Sequence, residues 1–315
     1  MKFFKRQTIH ERKVGDGSLI LTADGDIEIN PPSGNVKIDG NVTVSGEITG
    51  PKTTDILYVS QDGDDDNDGK SQGSDGAKRT IKSAVESSVP GTTIIVAPGD
   101  YYEENPIVLP DFVTVTGQGE LRNTRIFPKN NTETIFYVGN GCYLYQLTFR
   151  GLRYPGFCVE IRPGTLCTTS PYVQNCSNIN GPWLNDGTEF TPFETVQIEG
   201  IEPSARPLLV EDYPDLPFEK QINDTGGGGG MYVDGDQYDP ASLVNSMVAD
   251  AFTQISQGGI GFWIDNFGYT QIVSCFTVFC STGFKTTRGG YLSISNSVSD
   301  FGLEGVTADG FYPIA

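Results

Sequence analysis

Apolar residues along this chain come in short runs separated by turn residues, and two such stretches repeat each other. Residues 268–283 read GYTQIVSCFTVFCSTG and residues 290–305 read GYLSISNSVSDFGLEG. The offset is 22, the step from Tyr269 to Tyr291 and from Gly268 to Gly290. It sets Ile272 against Ile294, Phe276 against Val298, Phe279 against Phe301 and Gly283 against Gly305. Apolar and small residues recur while polar ones drift, as happens when each copy stacks its side chains on the next. A period in the low twenties with short β-runs and glycine corners predicts a β-solenoid. The leucine-rich pattern is missing, which leaves an all-β fold, the parallel β-helix.

The same rhythm organises the rest of the chain. Residues 15–50 alternate in the runs Leu19–Thr22, Asp26–Asn30, Asn35–Ile38 and Asn41–Val44, with turn residues between them. They predict a β-rich N-terminal segment, 1–50, too poor in apolar side chains for its own core. It therefore implies partners, and homotrimerisation about a shared axis would supply the missing burial. Residues 51–55 read as a linker. Residues 56–182 are expected to form the first part of the solenoid, opening with a strand at Ile56–Ser60. Ile81, Ala84 and Val85 then stand at helical spacing with Thr80 as N-cap, a helix placed to cover the end of the core. Further β-runs follow at Thr92–Val96, Pro106–Leu109, Phe112–Val115, Arg125–Phe127, Thr134–Val138 and Tyr143–Phe149.

From 183 to 239 the rhythm breaks into a proline-, glycine- and acid-rich stretch with five consecutive glycines. It predicts an insertion lobe whose glycine run is flexible. Residues 240–315 are expected to complete the solenoid. The last segment, FGLEGVTADGFYPIA, stops part-way through a coil. An open coil end exposes backbone and apolar side chains, so further polypeptide or another subunit is expected to cover it.

Charge changes the picture. The formal net charge is −19. Residues 1–13 carry five cations against Glu11, a local +4, so the remainder is −19 minus 4, or −23. Such a body repels a phosphate backbone, and nucleic-acid binding is not expected. No apolar stretch follows the early lysines and none approaches the ~20 residues of a membrane span, so neither a secretory leader nor a span is expected. The single histidine, His10, lies in the basic N-terminus. A multi-histidine metal site is thereby excluded within one chain, and catalysis would rest on carboxylates, Lys, Arg or Tyr. The six cysteines include no C-x-x-C pair. Cys275 and Cys280 lie too far apart along one strand to bridge, and reduced cysteines filling core positions are expected.

Residues 56–119 carry a resemblance. The pieces ILYVSQDGDDDNDG, RTIKSAVESSVPGTTIIVAPGDYYEENPIVLP and VTVTGQG resemble, in order, the N-terminal cassette of pectin-lyase-like right-handed parallel β-helix proteins. That resemblance implies the fold, and the cassette serves enzymes and inert rods alike. The G-x-[VI]-x-[VI]-x-G runs of 1–50 and the coils at 243–305 are similar to virion proteins of tailed bacteriophages, including cyanophages. They imply a tail-fibre, tailspike or baseplate component, attached through its N-terminus and trimeric, made in the host cytoplasm and resident in the virion. Other tail or baseplate proteins are implied as partners, and host-surface polysaccharide as a ligand.

Candidate chemistry is sparse. Asp64, Asp66, Asp68 and Asp75 have the oxygen spacing of a calcium loop, although the twelfth position is Asp and no helices flank it; a solvated acidic turn is the plainer reading. Asp265, Asp300 and Glu304 are acids in or beside the repeats from which a glycosidase pair could be drawn. Lys285 and Arg288 are the basic pair of the coils. Tyr143, Tyr145, Tyr232, Tyr238, Phe262, Trp263, Phe267 and Tyr269 could stack on sugars, with core packing as the commoner role of in-repeat aromatics. No catalytic, cofactor-binding or metal-ligating residue is assigned. The expected function is structural, with a polysaccharide depolymerase as the alternative.

Overall fold

The structure, a computed structural model, describes residues 55–180, 184–185, 189–190, 227–235 and 245–310. The expected N-terminal segment 1–50, the start of the linker and most of the expected insertion fall outside these residues.

Three parallel sheets account for the body. Sheet 1 has eight strands: Ile56–Val59, Thr93–Val96, Thr114–Gly117, Tyr143–Tyr145, Tyr172–Gln174, Ser246–Asp250, Tyr269–Val273 and Tyr291–Ser295. Sheet 2 has seven: Gly99–Glu103, Thr124–Pro128, Thr148–Arg150, Ser177–Asn180, Thr253–Ser256, Phe276–Val278 and Val298–Asp300. Sheet 3 also has seven: Ile107–Val108, Phe136–Val138, Phe157–Ile161, Gly229–Asp234, Ile260–Asp265, Thr282–Thr286 and Glu304–Ala308. From Thr93 onward the chain visits sheets 1, 2 and 3 in turn and starts again, one strand to each sheet per coil. This is a right-handed parallel β-helix. The sequence repeat is its coil: Tyr269 pairs with Tyr291, Ile272 with Ile294, and Phe276 with Val298.

One corner recurs. A single residue in the left-handed region joins sheet 1 to sheet 2 in successive coils: Gln146, Asn175, Ala251, Ser274 and Asn296, with φ from 48° to 58°. The first four pass their N–H to the next coil, as Asn175 does to the Asp250 carbonyl at 3.0 Å. Backbone satisfaction thus carries round the bend without a loop.

Alternation fills the interior. Sheet 1 sends Leu57, Ile94, Val115, Leu144, Val173, Ala249 and Ile272 inward, all buried. Five phenylalanines run through the core, Phe136, Phe149, Phe252, Phe262 and Phe284, each ring touching the next at centroid separations of 5.4 to 6.1 Å. The six cysteines are free and buried, as core residues. In the later coils the sheet 2 interior turns polar, with Asn178, Gln254 and Thr277 wholly enclosed.

The glycine run corrects two expectations. Gly229–Asp234 is not part of an insertion but the fourth strand of sheet 3, pairing with Phe157–Ile161 on one side and Ile260–Asp265 on the other. Nor are Gly227–Gly230 a hinge, for all four are buried. A Cβ on Gly229 would lie 2.2 Å from the Phe157 ring, and one on Gly230 would lie 2.1 Å from Oε1 of Gln254. Glycine is needed here because large side chains of neighbouring coils occupy the space. The insertion therefore leaves sheet 2 after Asn180 and has returned by Gly227. Within it Leu184–Asn185 pairs antiparallel with Glu189–Phe190.

The helix Ile81–Glu86 buries Ile81, Ala84 and Val85 against the first coils. Its N-terminus is satisfied from three places. Thr80 accepts from the Ser83 N–H as expected, at 3.1 Å. Asp65 accepts from the N–H groups of Arg79 and Thr80. Glu103, reaching across from sheet 2, accepts from Ile81 and Lys82 at 2.7 and 3.0 Å. Removing Glu103 by alanine orphans one buried and one part-buried donor and is expected to cost about 3 kcal/mol in a denaturant titration. Burial raises the Glu103 pKa, an effect that the two N–H bonds and Lys129 only partly oppose. With its folded value raised, the group favours folding below the ordinary carboxylate range, and that contribution is lost as pH rises through the raised value. Glu103→Gln keeps one acceptor, so it should cost less than alanine and flatten this slope.

Candidate functional site

The acidic turn does not gather ligands. Asp64 accepts from the Asp66 N–H, Asp68 from the Lys70 N–H, and Asp75 from the Ser74 hydroxyl. Among the described residues no group of three or more His, Cys, Asp or Glu side chains converges to hold a metal. The spacing serves the turn instead, and Asp65, which the spacing passed over, anchors the cap helix.

Chemistry-bearing side chains concentrate on the outer face of sheet 3. Glu160 pairs with Tyr232, Tyr232 with Trp263, and Trp263 with Lys285 in successive coils, one outward column. Asp234 pairs with Asp265 at the strand ends beside it. Position within a coil, not sequence proximity, makes these residues neighbours.

Asp265 is the hub. It is buried, yet accepts from both Nε and Nη2 of Arg288, the former at 2.8 Å. It also accepts from the Thr287 hydroxyl at 2.7 Å and the Tyr232 hydroxyl at 3.2 Å. Burial pushes its pKa up, but the bonds from Arg288 and Thr287 outweigh that, and the net direction is down. Thr287 takes the Trp263 indole N–H at 2.7 Å. The Trp263 ring meets Tyr232 edge-on at 5.2 Å, and Lys285 Nζ stands 4.4 Å from its centroid. One buried carboxylate thereby orients a tyrosine, an arginine and, through Thr287, a tryptophan. Tyr232 is committed as a donor, and burial beside Asp265 raises its pKa far from a base's range.

Beside the hub lies a cleft of about 90 Å³ lined by Glu160, Ile161, Arg162, Pro163, Gly164, Asp234 and Asn245. Glu160 accepts from the Thr134 hydroxyl at 2.8 Å. Burial raises its pKa; the Thr134 bond opposes this and the charge of Asp234 adds to it. Asp234 accepts from the Asn266 amide at 3.0 Å. Arg162 is held by Thr165 at 2.8 Å and by Asp111 at 3.4 Å. Buried Asn245 fastens the loop above, accepting from the Cys167 N–H and donating to the carbonyls of Thr165 and Asp234. The strand that carries Tyr232 and Asp234 is preceded by the insertion and followed by residues 236–244.

Of the residues named from sequence, Asp265, Lys285, Arg288, Tyr232 and Trp263 come together here. Asp300 does not, since it lies exposed on sheet 2. Glu304 opens the last strand of sheet 3 and accepts from Thr282 at 3.3 Å. Asp265 is tied to Arg288, so the acid pair sought among these three is not formed. The aromatics divide: Phe262 is core, whereas Trp263 is half-buried on the outside and Tyr269 is exposed. Tyr238 lies outside the described residues. Glu160, Asp234 and Thr287 were missed. The alternation in FCVEI and GGMYVD carried the only signal, placing Glu160 and Tyr232 on the outward side.

A family model described as a protein of unknown function, DUF1565, matches residues 61–133, less than a quarter of the chain. No curated protein matches it. Among solved structures, a rhamnogalacturonan lyase is similar at 14% identity and TM-score 0.45, over 83% of this chain and 63% of that one. Pectate lyase Pel9A is similar at 13% identity and TM-score 0.40, over 75% and 63%. The PL6-family alginate lyase AlyGC is similar at 10% identity and TM-score 0.35, over 96% and 46%. The chain thus spans less than two thirds of the length of these structures, and its fold is read from its own strand register.

Proposed function

We propose that the chain is a β-helical component of a tailed-bacteriophage tail, a fibre, tailspike or baseplate subunit, that engages host-surface polysaccharide along the outer face of sheet 3. The strip that links Glu160, Tyr232, Trp263 and Lys285 to the Asp265 hub carries the binding reading. It offers an aromatic edge, fixed hydroxyls, carboxylates and two cations on one rigid surface, the polar and apolar mixture that recognises sugars. The resemblance of residues 1–50 and 243–305 supports the virion assignment, with 1–50 as the attachment and trimerisation segment. Sedimentation of the full chain against a deletion of 1–55 tests this, and an unchanged oligomer would remove that role. Binding is tested by electrophoresis of the native protein through gels containing host-surface polysaccharide. Unretarded migration in every gel would count against the binding reading.

Glu160 favours a second reading, a depolymerase. A carboxyl with raised pKa beside a second carboxylate is the arrangement of a glycosidase acid and its partner. On this reading cleavage falls as pH rises through the Glu160 value, and Glu160→Gln abolishes cleavage while leaving polysaccharide retardation in place. New reducing ends report either chemistry, and ultraviolet absorbance of unsaturated products distinguishes a lyase from a hydrolase. Cleavage unchanged in Glu160→Gln would end this reading.

A further inference from the structure

The outer face of sheet 1 differs in chemistry from the other two. The outward positions of the sheet 2 strands hold Asp100, Arg125, Arg150 and Asp300, and those of sheet 3 hold Glu160, Asp234, Asp265 and Lys285. The eight strands of sheet 1 hold no lysine or arginine, and Asp250 is their single acid, in a chain of net charge −19. Tyrosines stand there instead. Tyr143 and Tyr145 lie 6.0 Å apart with rings 25° from parallel, and Tyr172, one coil on, meets Tyr143 edge-on at 6.1 Å. Two coils further, Tyr269 and Tyr291 stack at 5.2 Å and 11°.

These tyrosines are not core. Tyr172, Tyr269 and Tyr291 are 41%, 37% and 60% exposed. Their neighbours are bound into a polar comb: Tyr143 donates to Gln174, Gln174 donates to Asp250 at 2.8 Å, and Asn175 donates to the Tyr145 hydroxyl at 3.2 Å. Tyr143 and Tyr172 are register partners in adjacent coils, as are Tyr269 and Tyr291, so each pair is one step of ~4.8 Å along the axis, about one pyranose unit of an extended glycan.

Three occupants suit a flat tyrosine face: a second copy of this chain, an acidic polymer, or an uncharged glycan. Eight strands at ~4.8 Å spacing and about four residues of width give a face of roughly 450 Å². Two such faces bury about 900 Å², short of the roughly 1,200 Å² at which stable interfaces begin. An acidic polymer would meet no cation from the strands and one carboxylate. We propose that the outer face of sheet 1 is a binding surface for uncharged, hydroxyl-rich polysaccharide, with Tyr172, Tyr269 and Tyr291 as its exposed contacts. It stands on observations separate from those on sheet 3.

The test is retardation of the native full-length chain in gels cast with dextran, laminarin or galactomannan. The expected result is retardation by at least one of the three, weakened about tenfold in affinity by the double substitution Tyr172→Ala, Tyr291→Ala. The control, Tyr102→Ala on sheet 2, which is also exposed, should leave it unchanged. Circular dichroism confirms that each variant is folded, since both tyrosines are at the surface. Absence of retardation by all three glycans would overturn the proposal, as would equal retardation of the double variant. So would a native oligomer that dissociates on the double substitution, which would make the face a self-interface.

Discussion

Replacing Phe262 by alanine is expected to lower the unfolding free energy by about 4 kcal/mol, the cost of emptying a fully buried aromatic site. Phe262 is completely buried, and its ring meets Phe252 edge-on at 5.9 Å and Phe284 in a parallel stack at 5.4 Å. The void would open in the middle of the phenylalanine chain, where each coil rests on the next and neighbouring backbones cannot close in without breaking the ladder. In a solenoid the loss is shared with adjacent coils, so hydrogen exchange should quicken first in Ser246–Asp265 and Tyr269–Thr286. Denaturant titration gives the magnitude. A loss below about 1 kcal/mol would mean that Phe262 is not inside the core.

Trp263, the next residue, should behave in the opposite way. Alternation along Ile260–Asp265 turns it outward, where its indole N–H is fixed by Thr287 and its ring by Tyr232 and Lys285. Trp263→Ala is expected to leave the circular dichroism spectrum intact and to weaken polysaccharide retardation at least tenfold, about 1.4 kcal/mol of binding. Thr287, Tyr232 and Arg288 keep their bonds to Asp265, so the rest of the strip stays in place. If Trp263→Ala binds as the native chain does, the strip is a structural ornament of sheet 3 and the binding reading fails.

The contrast between these neighbours shows where sequence was informative. The 22-residue repeat was visible because the last coils have nearly equal lengths: Val248 to Gln271 is 23 residues and Gln271 to Ser293 is 22. Earlier coils vary, with 21 from Thr93 to Thr114 and 29 from Thr114 to Tyr143, because the turns between their strands differ in length. Side-chain stacking fixes the strands and leaves the turns free, so periodicity fades although register persists. The cap helix was legible from Ile81, Ala84, Val85 and Thr80, but Glu103 was not, since its partners lie 22 and 21 residues away.

The glycine run misled for a physical reason. Five glycines read as freedom when their neighbours are unknown, yet at Gly227–Gly230 the atoms of adjacent coils leave no room for a Cβ. Losing Gly229–Asp234 from the solenoid also hid the site. That strand is the one that brings Tyr232 and Asp234 between Glu160 and Trp263. Asp265 and Arg288 were both noticed, but as unrelated acid and base. Their pairing depends on one coil step, which spacing of 23 residues suggests only once the coil length is known.

In-register stacking of coils is measured most directly as a distance between two residues far apart in sequence. Thr93 and Ser293 occupy one outward column of sheet 1, six coil steps apart through Thr114, Tyr143, Tyr172, Val248 and Gln271. Spin labels on cysteines introduced at these two positions can be placed selectively, because the native thiols are buried, with pKa values raised by that burial. Pulsed dipolar spectroscopy should give one narrow separation near six steps of ~4.8 Å, about 29 Å between backbones. A broad distribution, or a mean beyond about 45 Å, would contradict a continuous column of coils and with it the surfaces assigned to sheets 1 and 3.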